Sequence, residues 1–458
     1  MSTRIIDLQI TEELPVGSFA MIDSATLGTR RYDLSKLEAG ESSIASYYDP
    51  ITGLYADLGT YMRSKRTGEL FEVDIQHYDD STSTVCTKVG LNASLSVTPS
   101  TASVAGQDDY SDYFAFAHWD VNGGCNSNGV PFVTAISDYD SWFDRYGENG
   151  NVFVMTPVLY YSYTDMGTYD RLLICDTPKV GLSVQPGATL PDGTIRPFML
   201  YSKYWGGWYD GKLASVSGVP AAIRNISHNT LITRAAAVGD GYSGKSIADD
   251  WYVKVMFLIK YAYKSSQAVY TGCTSYSKSA ACTVAENNVK RIVLSNTDAA
   301  FYEIGSCVSL GTGTDRSQAA NYAVFDNLRV VKKEAYDTNN MSIYVDTENT
   351  FSTDTTYNLT TMPWATGALD TVLGSDGTIT ASGRTNGHEP FLIQGIECMG
   401  GMYEILSGVI VNANDVDSVR YIDVYVVYDT ADDATSQTAN FVKVGTLPTP
   451  SGYRSEEH

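Results

Sequence analysis

The sequence predicts a strand-dominated α+β fold built from more than one structural unit, and three observations carry that expectation. Its 458 residues exceed the length at which a single hydrophobic core usually stops growing. The apolar fraction of 43% is ample for packed cores, whereas charged side chains make up only 18% of the chain. Short apolar runs bounded by Gly, Pro, Asp, Asn and Thr recur from end to end, and helix-period stripes are few.

The formal net charge of -22 narrows the partners. A chain this acidic, with no compensating Lys/Arg cluster, is repelled by phosphate backbones and anionic head groups, so nucleic acid and membrane surfaces are not expected partners. The opening MSTRIIDLQITEEL lacks the basic start and apolar run of a secretory signal, and no run reaches the roughly 18 apolar residues of a membrane helix, which places synthesis in a cytoplasm. The cysteines are seven and widely spaced, with no C-x-x-C pair, so buried free thiols are expected; Cys273 and Cys282 remain able to meet across a loop.

Residues 1–60 read as a small β module. Gly17 to Asp23 and Thr29 to Leu34 alternate apolar and polar side chains across a Leu-Gly turn, which predicts a hairpin. Two strands bury too little to stand alone, so this segment is expected to attach to copies of itself or to another protein. From 61 to 285 the chain reads as strands and loops with short helices. Val152 to Tyr161, Arg171 to Cys175 and Pro197 to Tyr201 are the strand runs; Ser137 is expected to cap a turn through Phe143 that stops at Gly147, and Asn229 to cap Leu231 to Ala237. The best helix starts at Ser246 with Asp249 as an approximate capping box, and Trp251, Val255, Leu258 and Ala262 form its expected core stripe.

Residues 286–385 change in texture to runs such as Lys290 to Leu294, Ala323 to Phe325 and Ser342 to Val345 without a convincing helix, and read as an inserted β-rich subdomain. The main domain resumes over 386–448 with Phe391 to Glu397, Glu404 to Val411 and Tyr421 to Tyr428, the last expected to bury one face. Residues 449–458 form a polar tail.

Three stretches in this order, FVMTPVLYYSYTDMGTYDRLLICDTPKVGLSVQPGATLPDGTIRPFMLYSKYWGGWYDG, DDWYVKVMFLIKYAYKSSQA and FLIQGIECMGGMYEILSGVIV, resemble proteins of phage and prophage tail modules of gut bacteria. There the last stretch reads like YRGIENPWGNVWEWVDG, a pattern of the formylglycine-generating-enzyme branch of the C-type-lectin-like fold. Here it is Gln394-Gly395-Ile396-Glu397, then Gly401, Tyr403-Glu404 and Gly408; Met399, Gly400, Ile405 and Leu406 stand where aromatic residues are usual. The resemblance covers about residues 65 to 430. It implies a C-type-lectin-like domain in two parts, 61–285 and 386–448, around the insertion. The opening IDLQITEELPVGSFAMIDSATLGTRRYDLSKL separately is similar to N-terminal pieces by which phage appendages attach to a tail.

The function implied is that of a tail fibre or receptor-binding protein, tropism-determinant-like, located in the virion and multivalent. Its expected partners are further copies of itself, with a trimer favoured, tail or baseplate proteins through residues 1–60, and a host-surface glycan or protein. A structural virion component and a surface-glycan depolymerase are the alternatives.

No catalytic constellation is expected. His77, His118, His228, His388 and His458 are scattered singly, and no G-x-S-x-G, H-E-x-x-H, phosphate-cradling loop or dinucleotide fingerprint occurs. Asp108, Asp109 and Asp112, or Asp138, Asp140 and Asp144, would have to supply a glycosidase pair or a calcium site, and neither has the Gly-containing alternation of a calcium loop. No internal repeat of β-helix type is present. No cofactor or metal is expected. Asn412 to Asp417 is too short to mark a diversified patch. The ligand-contact candidates are Tyr201, Tyr204, Trp205, Trp208 and Tyr209, aromatic rings around a Gly206-Gly207 loop that offer flat apolar platforms with polar edges; Tyr160, Tyr161 and Tyr163 rank below them.

Overall fold

A computed structural model describes residues 19–24, 28–33, 43–77, 83–220, 227–239, 242–270, 278–313, 319–379, 389–399, 407–416, 419–429 and 432–448. The chain is strand-dominated α+β with antiparallel sheets. The N-terminal hairpin pairs β1 (Phe19–Ser24) with β2 (Gly28–Asp33), Phe19 opposite Asp33.

The next segment departs from the expected boundary. With β3 (Tyr48–Asp49), β4 (Leu54–Tyr55) and α1 (Leu58–Ser64), the side chains of Ile44, Tyr55, Leu58 and Met62 enter one core with Val121, Val133, Ile136, Phe153 and Met155. Residues 43–60, assigned by sequence to an attachment module, are therefore part of the main body. Ile44, Tyr47, Tyr48, Tyr55 and Leu58 stand at helix-like spacing, yet the segment folds as a short turn, two two-residue strands and the start of α1, so the face it buries is set by the sheet it covers.

Two sheets build that body. One runs β12 (Ser183–Val184), β10 (Tyr160–Asp165), β11 (Tyr169–Cys175), β5 (Phe71–Gln76) and β6 (Thr87–Val89); the other runs β13 (Met199–Ser202), β9 (Val152–Thr156), β7 (Trp119–Cys125) and β8 (Pro131–Ile136). Strand β9 is buried along its whole length, with Val154 in one core and Phe153 and Met155 in the other. Burial on both faces explains why VFVMT reads as an unbroken apolar run. No helix follows β8. Asp140 instead accepts from the Ile136 amide at 2.7 Å and from the Tyr55 hydroxyl at 2.6 Å, which closes a turn where Ser137 was expected to start a helix.

The hairpin β14 (Gly207–Tyr209) and β15 (Lys212–Ala214) precedes α2 (His228–Ala236), whose cap is Ser227 rather than Asn229, its hydroxyl accepting from Thr230 N. Helix α3 (Ile247–Tyr261) begins at Ser246 with a complete capping box to Asp249, and ends at Ala262, whose φ of 54° forms a left-handed cap. Its buried face is rotated from the expected stripe. Tyr252, Met256 and Ile259, at i, i+4 and i+7, are fully buried, while Trp251 and Leu258 are only half-buried. The rotation accommodates Lys260, whose ammonium is inside the protein.

The inserted module is a six-stranded sheet in the order β16 (Ser279–Ala281), β21 (Asn358–Met362), β18 (Cys307–Gly311), β19 (Phe325–Ala335), β20 (Asn340–Val345), β17 (Arg291–Ser295). It has its own core of Ile292, Leu294, Tyr302, Val308, Leu310, Val330, Ile343 and Leu359. A four-residue helix not expected from sequence, α4 (Asn296–Ala299), is capped by Ser295. The sheet of the module spans 279 to 362, against the expected 286 to 385; Ala365 still packs on Cys307 and Met362, and beyond it the chain returns to the main body. Thr366 N donates to Val219 O, and Gly377 bridges both Ser100 and Leu392.

Strands β22 (Pro390–Ile393) and β23 (Ile396–Met399) then complete the core begun by α3. Phe391, Ile393 and Ile396 pack with Tyr252, Val255, Met256 and Ile259, and Tyr270 stacks on Phe391 at 4.6 Å. Segments more than 120 residues apart thus form one unit across the insertion. The last sheet, β24 (Val409–Val416), β25 (Val419–Val426) and β26 (Val442–Pro448), corrects another expectation. Among the described residues of β25 the buried one is Asp423, held by Thr446, Lys443 and Asn414, whereas Ile422, Val424 and Val426 are only half-buried and Val411, Val442, Val444 and Leu447 on the flanking strands are exposed. Cys273, Gly401, Tyr403, Glu404, His388 and His458 lie outside the described residues; Cys86, Cys125, Cys175, Cys282 and Cys307 are free thiols.

Candidate functional site

The structure divides the aromatic cluster in two. Tyr201 lies on β13 and is 3% exposed, stacked on Tyr252 at 4.3 Å with its oxygen accepting from Gln185 Nε2 at 2.6 Å. Tyr204 is 2% exposed and donates its hydroxyl to Asp370 Oδ1 at 2.7 Å. Burial and the facing Asp370 carboxylate hold its phenol far above the ordinary value, which keeps it a donor. Both rings are core, so their place among the ligand-contact residues is corrected: Tyr201 faces inward from β13, and the bend after that strand turns Tyr204 onto Asp370. Trp205 is half-buried.

Trp208 and Tyr209 are the exposed pair, at 43% and 37%. They sit on strand β14, not on the loop that Gly206-Gly207 was expected to make. The turn residues Asp210 and Gly211 both have positive φ, 46° and 73°, the geometry by which an Asp-Gly dipeptide pins a two-residue hairpin. Trp208 is therefore opposite Leu213, and Tyr209 opposite Lys212. Gly207 is required here, since a Cβ would come within 2.1 Å of Val219 Cγ2. Successive side chains leave opposite faces of the ribbon. The Arg234 guanidinium lies 4.8 Å from the centre of the Trp208 ring, and the Tyr209 ring covers Gly147. The Asp-Gly turn was the signal in the sequence that could have given this register.

Behind the hairpin is a charged frame. Arg145 bridges Asp120 and Asp370, both at 3.1 Å, and Lys203 reaches Asp120 at 3.1 Å and Gly395 O at 3.0 Å. Ser217 also donates to Asp370, at 2.6 Å. Glu397 is buried below this frame and accepts from the amides of Gly367 at 3.0 Å and Leu369 at 3.4 Å. Burial pushes its carboxyl up to about 8. The Gln394-Gly395-Ile396-Glu397 motif is thus a clamp. Gln394, at a φ of 50°, turns the β22–β23 hairpin, accepts from Lys260 at 3.0 Å and donates to Phe116 O at 2.9 Å. Lys260, with no exposure, is shared by Asp376 at 2.9 Å and Asp108 at 3.0 Å.

Four of the six aspartates in the two clusters have partners of their own. Asp108 pairs with Lys260, Asp109 accepts from Ser96 N and Gln107 Nε2, Asp140 closes its turn, and Asp144 accepts from Glu148 N. Neither cluster converges on a point. Of the lesser tyrosines, Tyr160 is buried, Tyr161 packs on Trp251, and Tyr163 is exposed with its hydroxyl on Asp170 at 2.9 Å. His118 is half-buried, and desolvation lowers its affinity for a proton. One grouping went unnoticed in the sequence because it joins three strands: His77, Asp165 and Asp170 offer ligand atoms within 4.8 Å of one another.

Comparison with family models, with curated proteins and with solved structures finds no match to this chain.

Proposed function

We propose that this protein is a host-surface-binding appendage of a phage tail, carried in the virion, and that it adheres without covalent chemistry through many weak contacts to a glycan or protein. The observation that carries the reading is the hairpin β14–β15, which holds Trp208 and Tyr209 in open register on a body whose neighbouring charges are internally paired. Flat rings with polar edges suit sugar faces and peptide surfaces alike. The main body is read as a C-type-lectin-like domain in two parts around the insertion, supported by the core that α3 shares with β22 and β23. The three stretches that resemble tail-module proteins supply the phage context.

A single contact near millimolar contributes only about -4 kcal/mol. Several copies on one tail make later contacts intramolecular, and avidity then exceeds one affinity by roughly 10² to 10⁴ fold. A trimer attached through the N-terminal segment meets that need, and a stable monomer in light scattering at micromolar concentration contradicts it. The structural-component reading keeps one observation in its favour: the exposed Val411, Val442, Val444 and Leu447 of the last sheet suit packing against a neighbour.

The test is retention of purified protein on intact host cells, with and without enzymatic stripping of surface polysaccharide. The expected result is saturable binding that falls at least tenfold in the double variant Trp208→Ala, Tyr209→Ala. Unchanged binding removes the hairpin from the reading, and no binding by the parent protein removes adhesion itself.

A further inference from the structure

The five-stranded sheet brings together three side chains that the adhesion reading does not use. Asp165 and Asp170 are the last directly opposed pair of β10 and β11 before their turn, and Asp170 is also opposite Ile75 on β5. His77 stands two residues beyond Ile75, where its amide donates to Thr168 O at 3.2 Å. The two-residue period of a strand therefore puts Asp165, Asp170 and His77 on one face. Arg171, the neighbouring cation in sequence, leaves by the other face and is taken by Asp74 at 2.7 and 2.9 Å.

Like charges directly opposite each other weaken a ladder, so a paired Asp165 and Asp170 calls for a cation on this face. His77 Nε2 is already 3.1 Å from Asp170 Oδ1. That separation is about what two adjacent ligands show when each is about 2.1 Å from one metal ion. The other Asp170 oxygen accepts from Tyr163 at 2.9 Å, which orients the carboxylate as outer hydrogen bonds do around a metal. Asp165 is exposed, and one of its oxygens accepts from Gly167 N at 2.7 Å, leaving the second to turn inward. All three ligand atoms lie within 4.8 Å of one another.

We propose that His77, Asp165 and Asp170 form a binding site for a divalent transition-metal ion of the zinc class at the tip of the β10–β11 hairpin. One imidazole and two carboxylates match zinc, cobalt, nickel or manganese, whereas calcium and magnesium take oxygen ligands and gain nothing from the ring nitrogen. Three protein ligands leave further positions to water.

The full chain, free of any affinity tag and stripped with a chelator, is titrated with zinc chloride by calorimetry and with cobalt chloride by visible absorption. The expected result is one saturable equivalent of zinc at micromolar concentration, with a cobalt ligand-field band of the same stoichiometry. His77→Ala and Asp165→Asn each weaken it at least tenfold; the second variant is isosteric, sits at an exposed position and leaves the sheet folded, as circular dichroism checks. Zinc binding that persists unchanged in both variants, or no saturable binding below millimolar zinc, overturns the proposal. Calcium or magnesium binding there as tightly as zinc overturns its metal class.

Discussion

The inserted sheet and the main body use the same antiparallel grammar but close their cores by different means. In the insertion, strands that follow one another over fewer than a hundred residues bury Ile292, Leu294, Val308, Leu310, Ile343 and Leu359 together, and the polar residues buried beside them, such as Ser309, Asn321 and Thr360, carry no charge. In the main body, α3 and the β22–β23 hairpin meet across that insertion, and alongside their apolar contacts they lock on an ammonium group. Lys260 is held by Asp108, Asp376 and Gln394, from three distant segments. The contiguous core is assembled by contacts that local order already brings near, whereas the split core adds an ammonium group whose partners come from separate segments.

The comparison can be broken in three places. Lys260→Ala leaves Asp108 and Asp376 without their shared cation, and the expected loss is about 4 kcal/mol of main-body stability, read as a drop in the urea midpoint. If the midpoint is unchanged, the ion cluster does not hold the two halves. Leu310→Ala, by contrast, removes a fully buried side chain from the insertion and is expected to cost about 3 kcal/mol. Hydrogen exchange should show that loss in β16 to β21 and leave α3 protected; equal loss in α3 would mean that the two cores unfold as one.

The third is a pH effect. Glu397, pushed up to about 8 in the folded protein, binds its proton there more tightly than at its ordinary value of 4.5. Stability from this group is therefore fully present below 4.5 and is lost as pH rises from 4.5 towards 8, at a slope of no more than about 1.4 kcal/mol per pH unit. Glu397→Gln should flatten that decline, measured as denaturation midpoints across the same window. An identical decline in the variant would assign it to other groups.

Particular residues show how far reading the sequence reached. Ser246 and Asp249 were recognisable as a capping box because both members lie within four residues and the bonds they make are local. The unbroken run of β9 and the alternation of β1 were equally readable. The hairpin β14–β15 was missed although Asp210-Gly211 announced it, because the preceding Gly206-Gly207 pair suggested a loop. The expected cap at Asn229, by contrast, was two residues late, since Ser227 and Asn229 are both good caps and only the start of the buried face at Leu231 and Ala235 selects between them.

What the sequence by itself determined is whatever composition or a few neighbouring residues decide: strand dominance, the start of α3, the texture change that marks the insertion, and a formal net charge of -22. Tertiary structure alone decided which rings of one aromatic cluster face inward, that Lys260 is enclosed, that residues 43–60 join the main body, and that His77 meets Asp165 and Asp170. Each of these depends on which strand lies beside which. A one-residue change in pairing turns every side chain of a strand to its other face, so exposure and encounter are properties of register between distant segments, and no local run of residues carries them.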